Sequence, residues 1–209
     1  MRPTCRAAAW RGSIRWLGRE PEVKTALLII DVQVGIVAGA YREAEVLAAI
    51  STMAECARAV GAPVIYLQHC HERFEPMMKG AAGWFIHPNV APNPGDIIVE
   101  KTASDGFYKT PLLAEIEQLG VSRLVICGLQ TEFCVDTTAR AAISRGLDVV
   151  LASDAHTTGE AVMSAEMTIR HHNYALRNLA HPDRRIVVAP SDQIDFALVS
   201  ETVASSDAP

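Results

Sequence analysis

Six short, unbroken apolar runs constrain what this chain can fold into more than any other feature. They lie at residues 26–30, 64–67, 97–99, 124–126, 149–151 and 186–188, and they are rich in Ile, Val and Leu. Runs this short and this continuously apolar suit strands covered on both faces. Helical patterns separate most of them. Residues 43–60 place Val46, Ile50, Met53, Ala57 and Val60 at helical spacing, with Gly61 as a stop and Pro63 just beyond. Residues 111–119 and 133–145 read as helices closed by Gly120 and Gly146, and 160–178 as a long late helix. Strands alternating with helices imply crossovers and a parallel sheet between helix layers, a three-layer α/β/α architecture of Rossmann-like type.

Charge and cysteine usage exclude several function classes. The chain carries 19 Lys+Arg against 24 Asp+Glu, a net charge of −5. A mildly acidic, mixed surface argues against nucleic-acid binding. No apolar run approaches the roughly 18 residues of a membrane-spanning helix. The five cysteines form no CxxC pair and read as reduced thiols. Without a secretory leader, that points to the cytoplasm. Residues 1–24 hold Arg2, Arg6, Arg11, Arg15, Arg19 and Lys24 against only Glu20 and Glu22. The remainder has 13 basic and 22 acidic residues, a charge of −9. The expected organisation is a disordered basic extension over 1–24, one domain over 25–197 and a flexible tail over 198–209.

In open parallel sheets, ligands bind beyond the carboxyl ends of the strands. Asp31 follows the first apolar run, and Gln68, His69 and His71 follow the second. Lys101 follows the third, the stretch 128–134 the fourth, and Asp154 and His156 the fifth. Cys134 falls in the first turn of the helix at 133–145. There the helix dipole favours a thiolate, and a nearby cation would lower the thiol's pKa further. A thiolate is a strong nucleophile toward acyl carbons. Cys5, Cys56, Cys70 and Cys127 read as inert. A carboxylate directly after five apolar residues is expected to be desolvated and paired, which singles out Asp31. Lys101 ends its strand in the same way.

Weaker signals surround these three. Residues 69–96 form a long, weakly periodic stretch of the kind that builds a pocket wall or lid. Gln33, Trp84, Phe107, Tyr108 and Thr131 are candidates for lining a substrate pocket, although Thr131 could instead cap the next helix. Arg140 is expected to pair with an acidic neighbour, and 171–173 to pack or join a subunit interface. No G-x-G-x-x-G follows the first strand, which disfavours a dinucleotide-dependent reductase.

LLIIDVQ at 27–33, VEK at 99–101 and GLQTEFCVDTTARAA at 128–142 resemble the isochorismatase-like cysteine hydrolases. GWFIHP at 83–88, SDAHTT at 153–158 and HHN at 171–173 fit the same pattern. The resemblance spans about residues 25–197. It implies a six-stranded parallel sheet in the order 3-2-1-4-5-6. It implies Cys134 as nucleophile, Asp31 as general base and Lys101 as electrostatic support. It also implies an oxyanion hole from the backbone N–H groups of Gln130 and Cys134, with Leu129–Gln130 in the cis form. The reaction implied is cofactor-free cleavage of a non-peptide C–N bond in a small amide-type molecule, by a homodimer or homotetramer. Nicotinamidases carry an Asp-x-His metal motif after strand two. Here Gln68-His69-Cys70-His71 stands instead, so a metal held by His69, His71 or His87 is the weaker alternative. A catalytically idle scaffold is another.

Overall fold

A computed structural model describes residues 23–197. The expectations for 1–22 and 198–209, and for Cys5, lie outside the described residues. The strands are β1 (Thr25–Ile30), β2 (Val64–His69), β3 (Ile97–Lys101), β4 (Arg123–Leu129), β5 (Asp148–Thr157) and β6 (Ile186–Ala189). They form one parallel six-stranded sheet in the order β3-β2-β1-β4-β5-β6. The helices are α1 (Val34–Val37), α2 (Glu43–Ala59), α3 (Leu112–Gln118), α4 (Asp136–Ser144) and α5 (Ala165–Arg177).

The strand alternation sorts the core into two layers. Leu27, Ile29, Val64, Tyr66, Val125 and Cys127 face α1 and α2, where Val37, Val46, Ile50 and Met53 meet them. Leu28, Ile30, Ile65, Leu67, Leu124 and Ile126 face α3, α4 and α5, where Leu112, Ile116, Ala139, Ile143 and Leu176 pack. Each fully buried Leu or Ile contributes roughly 1.5–3 kcal/mol. The six apolar runs are therefore strands because only two-sided burial satisfies them.

Three boundaries differ from the sequence expectation. β5 continues to Thr157 although Ser153 and Asp154 interrupt its apolar run, because a register shift re-pairs Gly128 with His156 and Leu129 with Thr157. α5 begins at Ala165 rather than 160. The Ser164 side chain accepts the Met167 N–H at 3.3 Å, and Glu160 accepts the Ala165 N–H at 3.2 Å, so residues 160–164 form its capped approach. The helix expected over 133–145 opens with a wide π turn, Thr131–Val135, and only then becomes α4. The stretch 69–96 is not featureless. It holds one-turn 3₁₀ helices at Glu75–Met77, Ala82–Trp84 and Pro88–Val90.

Candidate active site

Strand order decides which side chains can meet. β1 and β4 are neighbours at the point where the order reverses, and β2 and β3 lie beyond β1. Asp31 leaves β1 with a left-handed φ of 50°, a conformation Asp tolerates better than most residues. Its N–H still bonds the Leu67 carbonyl at 3.0 Å, so the turn is tied to β2. His69 and Lys101 are direct register partners at the ends of β2 and β3. Beyond β4, the Leu129–Gln130 peptide is cis. The Gln130 carbonyl then accepts the N–H groups of Phe133 and Val135 at 3.1 and 3.2 Å, and this closes the π turn that presents Cys134.

The Lys101 amine is the hub. Its Nζ lies 2.7 Å from Asp31 Oδ2 and donates to Cys134 Sγ at 3.2 Å and to the Ala103 carbonyl at 3.0 Å. His69 Nδ1 is 3.0 Å away on a further side, and 3.8 Å from Asp31 Oδ2. An ammonium has three N–H donors, so four acceptors share them. The Lys101 and Asp31 side chains are 0% and 1% exposed, and Cys134 retains 8%. Apart from this ion pair, both Asp31 carboxylate oxygens lack a hydrogen-bond partner among the described residues.

One expectation is corrected here. Cys134 was expected to hold a lowered pKa. Burial instead pushes its thiol up to about 12, the Asp31 carboxylate adds to the rise, and Lys101 offsets only part of it. The desolvated sulfur beside a carboxylate outweighs the helix-end dipole, and the turn that carries it is π rather than α. Cys134 therefore rests as a protonated thiol with a base beside it. Cys127, wholly buried on β4, is also raised by burial.

The remaining sequence candidates divide. Gln33 is fully buried and acts as a clamp. Its side chain accepts the His69 N–H at 2.8 Å and donates to the carbonyls of His69 and Trp84 at 3.0 and 2.6 Å. Trp84 is partly buried, and its indole N–H donates to Cys70 Sγ at 3.1 Å. The wall carrying Trp84 packs on α1, just after β1's turn, because Gly35 and Gly83 allow contact: a Cβ on Gly35 would meet the Gly83 Cα at 3.0 Å, and one on Gly83 would meet the Gly35 Cα at 3.1 Å. Phe107 is a core residue with Arg145 stacked 4.6 Å over its ring, whereas Tyr108 is half exposed. Thr131 is completely buried, its hydroxyl 2.9 Å from His156 Nδ1. Arg140 pairs with Asp136 through two bonds of 2.8 and 2.9 Å. His69 stood in the sequence as a polar residue at the end of the second strand and as one of three possible metal ligands, and the register that sets it against Lys101 is not legible there.

The metal alternative fails on donor chemistry. Asp31, His69 and Cys134 do bring ligand atoms within 4.8 Å of one another. However, Lys101 Nζ already sits among those same three atoms, so a cation would share its place with an ammonium. His71 Nδ1 accepts the N–H groups of Arg73 and Phe74, and His87 Nδ1 accepts that of Asn89. These residues do not fit a metal.

The isochorismatase domain profile matches residues 25–189. The chain belongs to the isochorismatase family. A streptothricin hydrolase of Streptomyces noursei is 42% identical over 136 residues, 64% of this chain and 54% of that protein. The chain spans about half the length of the streptothricin hydrolases it matches. The crystal structure of an isochorismatase from Pseudomonas putida is 28% identical with a TM-score of 0.72, over 82% of this chain and 92% of that one. An N-carbamoylsarcosine amidase structure from Thermoplasma acidophilum is 25% identical with a TM-score of 0.67, over 82% of this chain and 99% of that one. No helix of the described residues is long and apolar enough to cross a membrane.

Proposed function

We propose that this family member is a cysteine hydrolase that cleaves a non-peptide C–N bond of a small amide-type molecule through a thioester. The observation that carries the reading is the buried contact set around Lys101, 2.7 Å from the Asp31 carboxylate and 3.2 Å from the Cys134 sulfur. Because the thiol rests protonated, attack and deprotonation occur together. Asp31 takes the thiol proton as Sγ bonds to the carbonyl carbon. Lys101 compensates the charge that shifts between sulfur and carboxylate. The oxyanion is received by the backbone N–H groups of Gln130 and Cys134, at the cis peptide and the π turn. Collapse breaks the C–N bond, and the departing amine takes the proton from Asp31. A water then attacks the thioester, gives its proton to Asp31, and the acid leaves as the thiol is restored. An amidase among the structural relatives supports the amide class.

The test is a panel of small amides and ureides with detection of released ammonia or amine, run on wild type and Cys134→Ala. Wild type is expected to turn over at least one compound. Cys134→Ala is expected to keep its circular dichroism and melting temperature within a few degrees while losing about a thousandfold or more in rate. Turnover retained in Cys134→Ala would remove the covalent mechanism.

A further inference from the structure

A second buried polar chain runs from the late helix to the nucleophile turn, and the chemistry above makes no use of it. His156, near the end of β5, is 1% exposed. Its Nδ1 lies 2.9 Å from Thr131 Oγ1 and its Nε2 lies 2.9 Å from Asn173 Oδ1 on α5. Asn173 in turn donates its amide N–H to the Ser153 carbonyl at 3.1 Å.

The direction of every bond in this chain follows from that carbonyl. A backbone carbonyl only accepts, so the Asn173 amide nitrogen faces Ser153 and its oxygen faces His156. Nε2 of His156 must then carry the proton. Burial pushes the ring's pKa down to about 4, so the imidazole is neutral and Nδ1 is left as an acceptor. The Thr131 hydroxyl therefore donates to it. The proton of that hydroxyl points out of the turn and toward β5.

Thr131 is the first residue of the π turn that ends with Cys134 and Val135. The next residue is tied to the same strand end, since Thr158 donates its hydroxyl to Glu132 Oε1 at 2.9 Å. Two consecutive residues of the turn are thus anchored to the end of β5, and only the Thr131 anchor is relayed through a side chain to a helix. The geometry points to His156 as a positioning residue: by holding the Thr131 hydroxyl it fixes the turn so that Cys134 Sγ stays against the Lys101–Asp31 pair. This inference rests on the cysteine-hydrolase reading. A displacement of the sulfur by about 1 Å would cost up to ~100-fold in reaction rate.

The experiment uses the full chain and p-nitrophenyl acetate as an acyl donor. The thiol of Cys134 attacks the acetyl carbon, its proton passes to Asp31, the C–O bond breaks and nitrophenolate leaves. Acetylation at Cys134 and at Cys56 is followed in the same sample by peptide mass spectrometry, with the melting temperature measured for each variant. Thr131→Val, which keeps shape and loses the hydroxyl, is expected to slow acetylation of Cys134 about tenfold while Cys56 is unchanged. Thr131→Ser should restore the wild-type rate. His156→Phe should match Thr131→Val, and the double variant should be no slower than either alone. Wild-type rates in Thr131→Val, or a Thr131→Ser as slow as Thr131→Val, would overturn the role of His156 and leave the cysteine-hydrolase reading standing. Wild-type Cys134 acetylated no faster than Cys56 would overturn that reading and this inference with it.

Discussion

At the scale of single residues, the ion pair between Lys101 and Asp31 links the proposed chemistry to stability. Burying two charges is costly and is offset only while each has the other. Asp31→Asn leaves Lys101 with neutral acceptors alone. It is expected to lower stability by about 3–5 kcal/mol in urea unfolding and to abolish hydrolysis. An unchanged unfolding midpoint would show that the pair is not a desolvated one. Asp31, Lys101 and Cys134 were legible because each breaks a local rule, as a charge or thiol at the mouth of an apolar run. Their mutual distances were not legible, since those depend on strand order. His69 shows the limit more clearly. Its contact with Lys101 comes from the β2–β3 register, and no local pattern encodes a register between strands that lie 28 residues apart. The state of the Cys134 thiol was misjudged because its sequence position shows the helix end but not the burial.

At the scale of elements, the junction of β1 and β4 leaves no room for a side chain at Gly128. Gly128 has a φ of +115°, and a Cβ there would sit 2.0 Å from the Ile30 carbonyl oxygen. Ile30 and Gly128 are register partners, one residue before Asp31 and one before the cis peptide. Gly128→Ala must therefore part the two strand ends that lead to the candidate base and the proposed oxyanion donors. It is expected to lose at least about 2 kcal/mol of stability, with activity falling further than the unfolded fraction explains. Equal losses in activity and folded fraction would mean that the strand ends move without disturbing the site. The six strands were legible in the sequence as apolar runs. The far half of β5 was not, because Ser153, Asp154 and His156 look like loop residues until Gly128 shifts the pairing. The 3₁₀ turns of the wall over 69–96 were hidden for another reason: they are held by backbone bonds and glycine contacts rather than by apolar periodicity.

At the scale of the whole molecule, stability should depend on pH from both sides. His156 titrates near 6.5 when the chain is unfolded and at about 4 in the fold, where burial disfavours its charged form. Above pH 6.5 it is neutral in both states and makes no difference. As pH falls below 6.5 the unfolded chain takes up the proton first, so stability drops by about 3 kcal/mol by pH 4 and then levels off. The buried Cys134 thiol acts at the other end. Its raised pKa means the unfolded chain ionises first, so stability declines as pH rises above about 9. Thermal melts from pH 4 to 10 check both limbs, and His156→Phe should flatten the acid limb alone. A last consequence follows from where the Lys101 contacts originate. Asp31, His69, Lys101 and Cys134 sit at the ends of four different strands. A ribosome-bound stretch short of the fourth strand holds the acid, the imidazole and the amine of this set but not its sulfur. The proposed reactivity belongs to the completed six-stranded sheet alone, because only there do the carboxylate and the ammonium meet this sulfur.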